Sequence, residues 1–141
     1  MTTLIIAEKP NVAKRIASSL GDPKSHKSGR AKYFSIDEKD ILVASAVGHL
    51  YSLRQARPID KYPFFDIKWT APSEYDDKMR YIDQYIGVLK ELSSEVDEII
   101  NACDYDLEGS VIGYNAIVHA CGGNPENAMR MKFSTLTKEE L

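Results

Sequence analysis

The stretch Ile99-Ile100-Asn101-Ala102-Cys103-Asp104-Tyr105-Asp106-Leu107-Glu108-Gly109 runs from apolar residues into three carboxylates at alternate positions and closes on a glycine. Along an extended chain successive side chains alternate faces, so Asp104, Asp106 and Glu108 are expected to project the same way. Like charges gathered so closely repel one another unless something neutralises them. A hard divalent cation with oxygen ligands is the direct neutraliser, which makes the triplet a candidate Mg²⁺ site.

The bland alternative is a solvated acidic loop, and the flanks argue against it. Residues 98–103 read as a short buried strand, and Val111, Ile112, Ala116, Ile117 and Ala120 follow at helix-compatible spacing. The triplet therefore falls at the carboxyl end of a strand, where open α/β sheets place their ligands. A calcium EF-hand also begins D-x-D, but its twelfth loop position should be a bidentate Glu and here it is Asn115. An apolar strand also replaces the entering helix, and the EF-hand is rejected. An aspartyl-nucleophile phosphatase and a phospho-acceptor receiver domain remain compatible with the triplet alone; neither explains Glu108.

A length of 141 residues suits one domain able to bury a core unaided. No stretch approaches the roughly 20 apolar residues a membrane span needs, and the opening residues lack the pattern of a secretory leader, so a cytoplasmic protein is expected. Cys103 and Cys121 form no CxxC pair and read as reduced, buried thiols. The net charge of −3 argues against a strong stand-alone nucleic-acid binder. Its distribution is polarised. Residues 1–32 hold seven basic groups, Lys9, Lys14 and Arg15 among them, against two acidic ones, and residues 91–108 hold seven acidic groups and no basic one. The basic third could touch phosphates while the acidic segment holds metal, although isolated surface charges mostly only solvate helix faces.

From the amino terminus, Leu4-Ile5-Ile6-Ala7 reads as a buried strand. Pro10 can open a helix whose stripe is Val12, Ile16 and Leu20, with Gly21 as its stop. Residues 22–32 read as a polar loop, Tyr33–Ile36 and Ile41–Val47 as a hairpin, and 54–72 as an irregular aromatic excursion. Met79, Ile82, Ile86 and Leu89 mark an amphipathic helix ahead of the acidic strand, and a last strand is expected near residues 129–133. The order β-α-β-β-α-β-α-β predicts an α/β layered domain with a central, mostly parallel sheet flanked by helices. Thr137-Lys138-Glu139-Glu140 fits a capping box, the start of a further helix, and suggests a piece of a longer protein.

Glu8, in Ala7-Glu8-Lys9-Pro10, ends the first strand just ahead of a helix. If that strand neighbours the acidic one, Glu8 faces the triplet, and four carboxylates could serve one Mg²⁺ with one left for proton transfer. Lys9 and the helix start behind Pro10 would suit a phosphate.

Three motifs together resemble a known family. Residues 4–14 (LIIAEKPNVAK), 47–51 (VGHLY) and 101–109 (NACDYDLEG) occur in the order seen in type IA DNA topoisomerases, in the Toprim domain, a Rossmann-like metal-binding module shared with primases and some nucleases. The wording of the acidic motif resembles the archaeal branch, and the resemblance covers essentially the whole chain. It implies a Toprim domain over residues 1–134, with 135–141 opening the next domain. It also implies Glu8 and Lys9 at the scissile phosphate, Glu8 handling a proton of the 3′ oxygen. Asp104 and Asp106 match the principal Mg²⁺ ligands, and Glu108 a weaker or water-mediated one. His49 matches the family's Gly-His position, which implies a place near the DNA path. Many relatives carry Arg where this chain has Leu107, which removes a possible phosphate contact but no carboxylate.

By that resemblance the whole enzyme cuts one strand of single-stranded DNA through a 5′-phosphotyrosine, passes a strand and religates without ATP. The tyrosine belongs to a later domain, so this chain alone is expected to be inactive. The other topoisomerase domains and DNA would be its partners, no membrane is involved, and a chromosome-associated cytoplasmic location is implied. A Toprim nuclease or primase, and a non-catalytic metal- or phosphate-binding module, remain as alternatives.

Overall fold

A computed structural model describes all residues, Met1–Leu141. Strand β1 (Thr3–Ala7) lies in the middle of a six-stranded sheet. The remaining strands and α-helices are α1 (Pro10–Leu20), β2 (Lys24–Ser28), β3 (Ala31–Ile36), β4 (Ile41–Ser45), β5 (Ser52–Gln55), β6 (Ile67–Thr70), α2 (Tyr81–Ser93), β7 (Glu98–Ala102), α3 (Leu107–Asn115), which runs on into a π-helical segment (Ala116–Ala120), and β8 (Met129–Arg130). The sheet order is β2-β3-β4-β1-β7-β8, and β5 and β6 form a separate ribbon. Strands β4, β1, β7 and β8 run parallel, while β2 and β3 join antiparallel. The expected mostly parallel α/β sheet is the observed one.

The two faces of β1 explain why its sequence is apolar without alternation. Leu4 and Ile6 enter a core with Leu89, Ile112 and Ile117, whereas Ile5 and Ala7 enter a second core with Val12, Ile16 and Val43. A central parallel strand buried on both sides reads as a continuous apolar run. Each large side chain removed from water there contributes about 1.5–3 kcal/mol. Helix α1 covers one face, and α2 with α3 covers the other.

Several expectations need correction. Residues 24–28 are a strand, not a loop. All five side chains of β2 are polar, so hydropathy conceals it; its main chain pairs with β3 across a two-residue turn that begins at Gly29, φ 60. His26 stacks on Tyr33 with ring centroids 4.7 Å apart, and Lys24 pairs with Asp37 at 2.5 Å. The aromatic excursion contains the β5–β6 ribbon, in which Leu53 stands opposite Trp69. Met79 belongs to a short 3₁₀ turn ahead of α2 rather than to the helix. The last strand is only two residues long.

At the carboxyl end, residues 138–140 form a turn instead of the expected helix start. The Glu140 carboxylate still reaches back, accepting from the Ser134 and Thr135 amides at 2.5 and 2.8 Å and from both hydroxyls.

Candidate functional site

Parallel pairing sets the site. Ala7 of β1 is in register with Ser45 of β4 and with Ala102 of β7, so the residues that follow all three leave the same edge of the sheet. Glu8 and Lys9 leave from β1, Gly48 and His49 follow β4, and Cys103 to Glu108 follow β7. Sequence positions about 40 and 95 residues from Glu8 are thereby brought to one edge.

Glu8 is buried, at 6% exposure, and its Oε1 lies 3.4 Å from the Lys9 ammonium. Its carbonyl accepts from the Gly48 amide at 3.2 Å. Gly48 takes φ 84, a conformation that disfavours a side chain, and this turn swings His49 toward the acidic segment. His49 Nε2 lies 3.3 Å from Glu108 Oε1, an exposed pair that ties the β4 exit to α3. Lys14 and Arg15 stand exposed on α1.

The alternation expected for the triplet does not occur, because the extended chain ends at Ala102. Asp106 is instead the N-cap of α3, and its Oδ1 accepts from the Gly109 amide at 2.7 Å. A short carboxylate before a helix captures the free first-turn N–H groups more readily than it continues a strand. Glu108 then falls in the first helical turn, where the helix dipole favours a negative charge. Tyr105 is exposed on the rim, its ring near Arg130 and Lys132 at 5.3 and 4.8 Å.

Three of the four acids thus have a partner each: Glu8 has Lys9, Asp106 has the helix amide and Glu108 has His49. Asp104, half-buried, is the acid whose carboxylate no donor of the protein engages. No three carboxylate, imidazole or thiol groups stand close enough to share an ion. Mutual repulsion is relieved by separate partners rather than by a ready cage. The donor chemistry nevertheless suits a hard cation: all oxygen, with Asp104 uncommitted and one oxygen of Asp106 outside the cap.

Four residues that support this edge were not singled out from the sequence. A methyl group on Gly109 would collide with the Asp104 carbonyl, and one on Gly113 with the Asn101 side chain. These two glycines let α3 lie directly on the end of β7. Asn101, 9% exposed, accepts from the Cys103 amide through Oδ1 at 3.1 Å and also receives Arg130. A G-x-x-x-G spacing after the acids was the available signal for the glycines; nothing local pointed to Arg130. Burial, with smaller contributions from the Glu8 and Asp104 charges, pushes the Cys103 thiol up to about 12 against the opposing pull of Arg130. Cys103 and Cys121 are both free thiols, as expected, but only Cys103 is buried; Cys121 is half-buried.

The Toprim domain family matches residues 3–136. The chain belongs to the Toprim family. This Toprim chain is 47% identical over its whole length to DNA topoisomerase 1 of Methanocaldococcus jannaschii, covering 19% of that protein. It is 48% identical to DNA topoisomerase 1 of Pyrococcus horikoshii over 98% of its own length and 21% of the relative's. The counterpart in Methanothermobacter thermautotrophicus is 41% identical, with 100% and 20% covered. The Toprim chain therefore spans about a fifth of the length of these relatives. No helix is long and apolar enough to cross a membrane.

Proposed function

We propose that this chain is the Mg²⁺-binding Toprim domain of a type IA DNA topoisomerase, with Glu8, Asp104, Asp106 and Glu108 as its acidic set. The observation that carries the reading is the shared edge: a buried glutamate from β1 and an uncommitted aspartate from β7 leave neighbouring parallel strands side by side. Similarity to archaeal DNA topoisomerase 1 over the full chain supports it.

In this reading Asp104 and Asp106 would hold the ion, and Glu108 would be a weaker or water-mediated ligand. Bound there, the ion supplies positive charge to organise a backbone phosphate. Glu8 holds or releases a proton at its carboxylate beside the 3′ oxygen, and Lys9 offsets charge on the phosphate. In this reading the exposed Lys14 and Arg15, with the partly exposed His49, would contact a single-stranded DNA backbone. Residues 1–134 form the Toprim domain, and 135–141 lead into the next. The attacking tyrosine is supplied by another domain; Tyr105, on the rim over basic side chains, is not that residue. The enzyme works on the chromosome in the cytoplasm and uses no ATP.

The test compares three preparations with Mg²⁺ and negatively supercoiled plasmid. A protein of the relatives' full length that carries this domain relaxes the plasmid, and its Asp104→Asn/Asp106→Asn form does not. The 141-residue chain alone does neither relaxation nor cleavage. Nicking of DNA by the isolated chain would favour a Toprim nuclease, and full relaxation by the double Asn variant would overturn the metal assignment.

A further inference from the structure

The Arg130 guanidinium ends inside the turn that carries Asp104. Nη1 donates to the carbonyl oxygens of Asn101 and Cys103 at 3.0 and 2.6 Å and to Asn101 Oδ1 at 3.2 Å; Nη2 donates to the carbonyl of Asp104 at 2.6 Å. These carbonyls lie where the β1–β7 ladder stops, at Ala102, and the chain bends toward the cap of α3. A planar fork with five donors can hold several converging acceptors at once, which an ammonium on a flexible stem cannot. Gly109 lies against the Asp104 carbonyl, where even a methyl group would strike it. Arg130 and the close approach of Gly109 thus both bear on the Asp104 carbonyl, and no donor of the protein engages the Asp104 carboxylate.

We infer that Arg130 is a positioning residue: it clamps the main chain of residues 101–104 and so fixes where the Asp104 carboxylate stands for a divalent cation. This rests on the metal reading given above, and it adds a role for a residue outside the proposed acidic set. It also makes a prediction of sign. A fixed positive charge this near Asp104 opposes a second cation, so a guanidinium acting only through its charge would weaken metal binding, and removing it would tighten binding. A clamp predicts the reverse. Groups that hold metal ligands from behind typically change affinity about 10–100-fold when removed.

The experiment titrates Mn²⁺ into the 141-residue chain, reading free ion by electron paramagnetic resonance, for wild type, Arg130→Ala, Arg130→Lys and Asp104→Asn. Hydrogen exchange of residues 103–109 is followed in parallel, with residues 41–45 as an internal control. Arg130→Ala is expected to bind Mn²⁺ about tenfold more weakly and to exchange faster in the turn while the control strand is unchanged. Arg130→Lys, which keeps the charge but not the fork, is expected to weaken binding too, and it carries the test if the Ala variant does not fold. Equal or tighter Mn²⁺ binding by Arg130→Ala, or unaltered exchange in the turn, overturns the clamp. A wild type that binds no Mn²⁺, with exchange in the turn still accelerated by Arg130→Ala, overturns the metal reading and leaves the clamp standing.

Discussion

Asp106 serves two demands at once, because the oxygen that caps α3 belongs to a carboxylate also proposed to bind metal. Substitutions separate the roles. Asp106→Asn keeps a good capping group, whereas Asp106→Ala removes it at a cost of about 1 kcal/mol. Urea melts without metal should rank wild type and Asn close together and Ala below, while Mg²⁺ binding is lost in both variants. Equal destabilisation by Asn and Ala would show that the cap contributes nothing. Gly109→Ala is expected to be worse than either, by more than about 2 kcal/mol, because the added methyl group meets main chain rather than a movable side chain. Denaturant midpoints check this, and a midpoint within error of wild type would mean the helix can shift. The acids were legible in the sequence, but Asp106 was read as part of an alternating triplet and not as the helix cap it is. Gly109 and Gly113 were not read as close-packing positions, because what they avoid, the Asp104 carbonyl and Asn101, is defined only once α3 lies back on β7.

Among elements, the strand–turn–helix unit from β7 to α3 has the properties that sequence pattern handles well: an apolar run, a cap and an apolar helical stripe. The β2 edge was missed because its side chains are all polar and its stability comes from main-chain pairing with β3. The carboxyl-terminal turn has a clear pH signature. Hydrogen bonds from Thr135 and Ser134 hold the Glu140 carboxyl down to about 2 from its ordinary 4.5. A lowered folded value means the turn is favoured above the unfolded pKa and loses that support as pH falls through about 2. Amide shifts of Ser134 and Thr135 in an acid NMR titration should move with that midpoint; movement centred near 4.5 would mean the turn is open in solution. The core shows the opposite sign at high pH. Burial pushes the Cys103 thiol from 9.0 to about 12 and the Tyr51 hydroxyl from 10.0 to about 12. Groups with raised folded values favour the native state below the unfolded pKa and withdraw that support as pH rises toward 12. Stability should therefore fall from about pH 9 upward, and Cys103→Ser should change the steepness of that fall in melts recorded from pH 7 to 11.

Across the whole molecule, two cores share one sheet, and the metal binding proposed at its edge would be linked to folding if the ion binds only the native state. A cation that binds only the native state adds about 2.7 kcal/mol when free ion is a hundredfold above its dissociation constant. Thermal melts in saturating Mg²⁺ and in EDTA should differ by several degrees, and the difference should vanish in Asp104→Asn. Coincident wild-type melts would argue against a native Mg²⁺ site.

The main strands and helices, the mostly parallel sheet and the residue types of the acidic edge were set by local pattern: apolar runs and helical spacing act over a few residues and can be read along the chain, whereas the polar strand β2 and the β5–β6 ribbon were not. What only the folded molecule decided was company. Strand pairing brought Glu8 beside the end of β7, the Gly48 turn brought His49 to Glu108, and a residue 26 positions downstream of Asp104 closed on its carbonyl. Those partnerships depend on contacts between distant segments, for which the neighbouring sequence carries no periodicity.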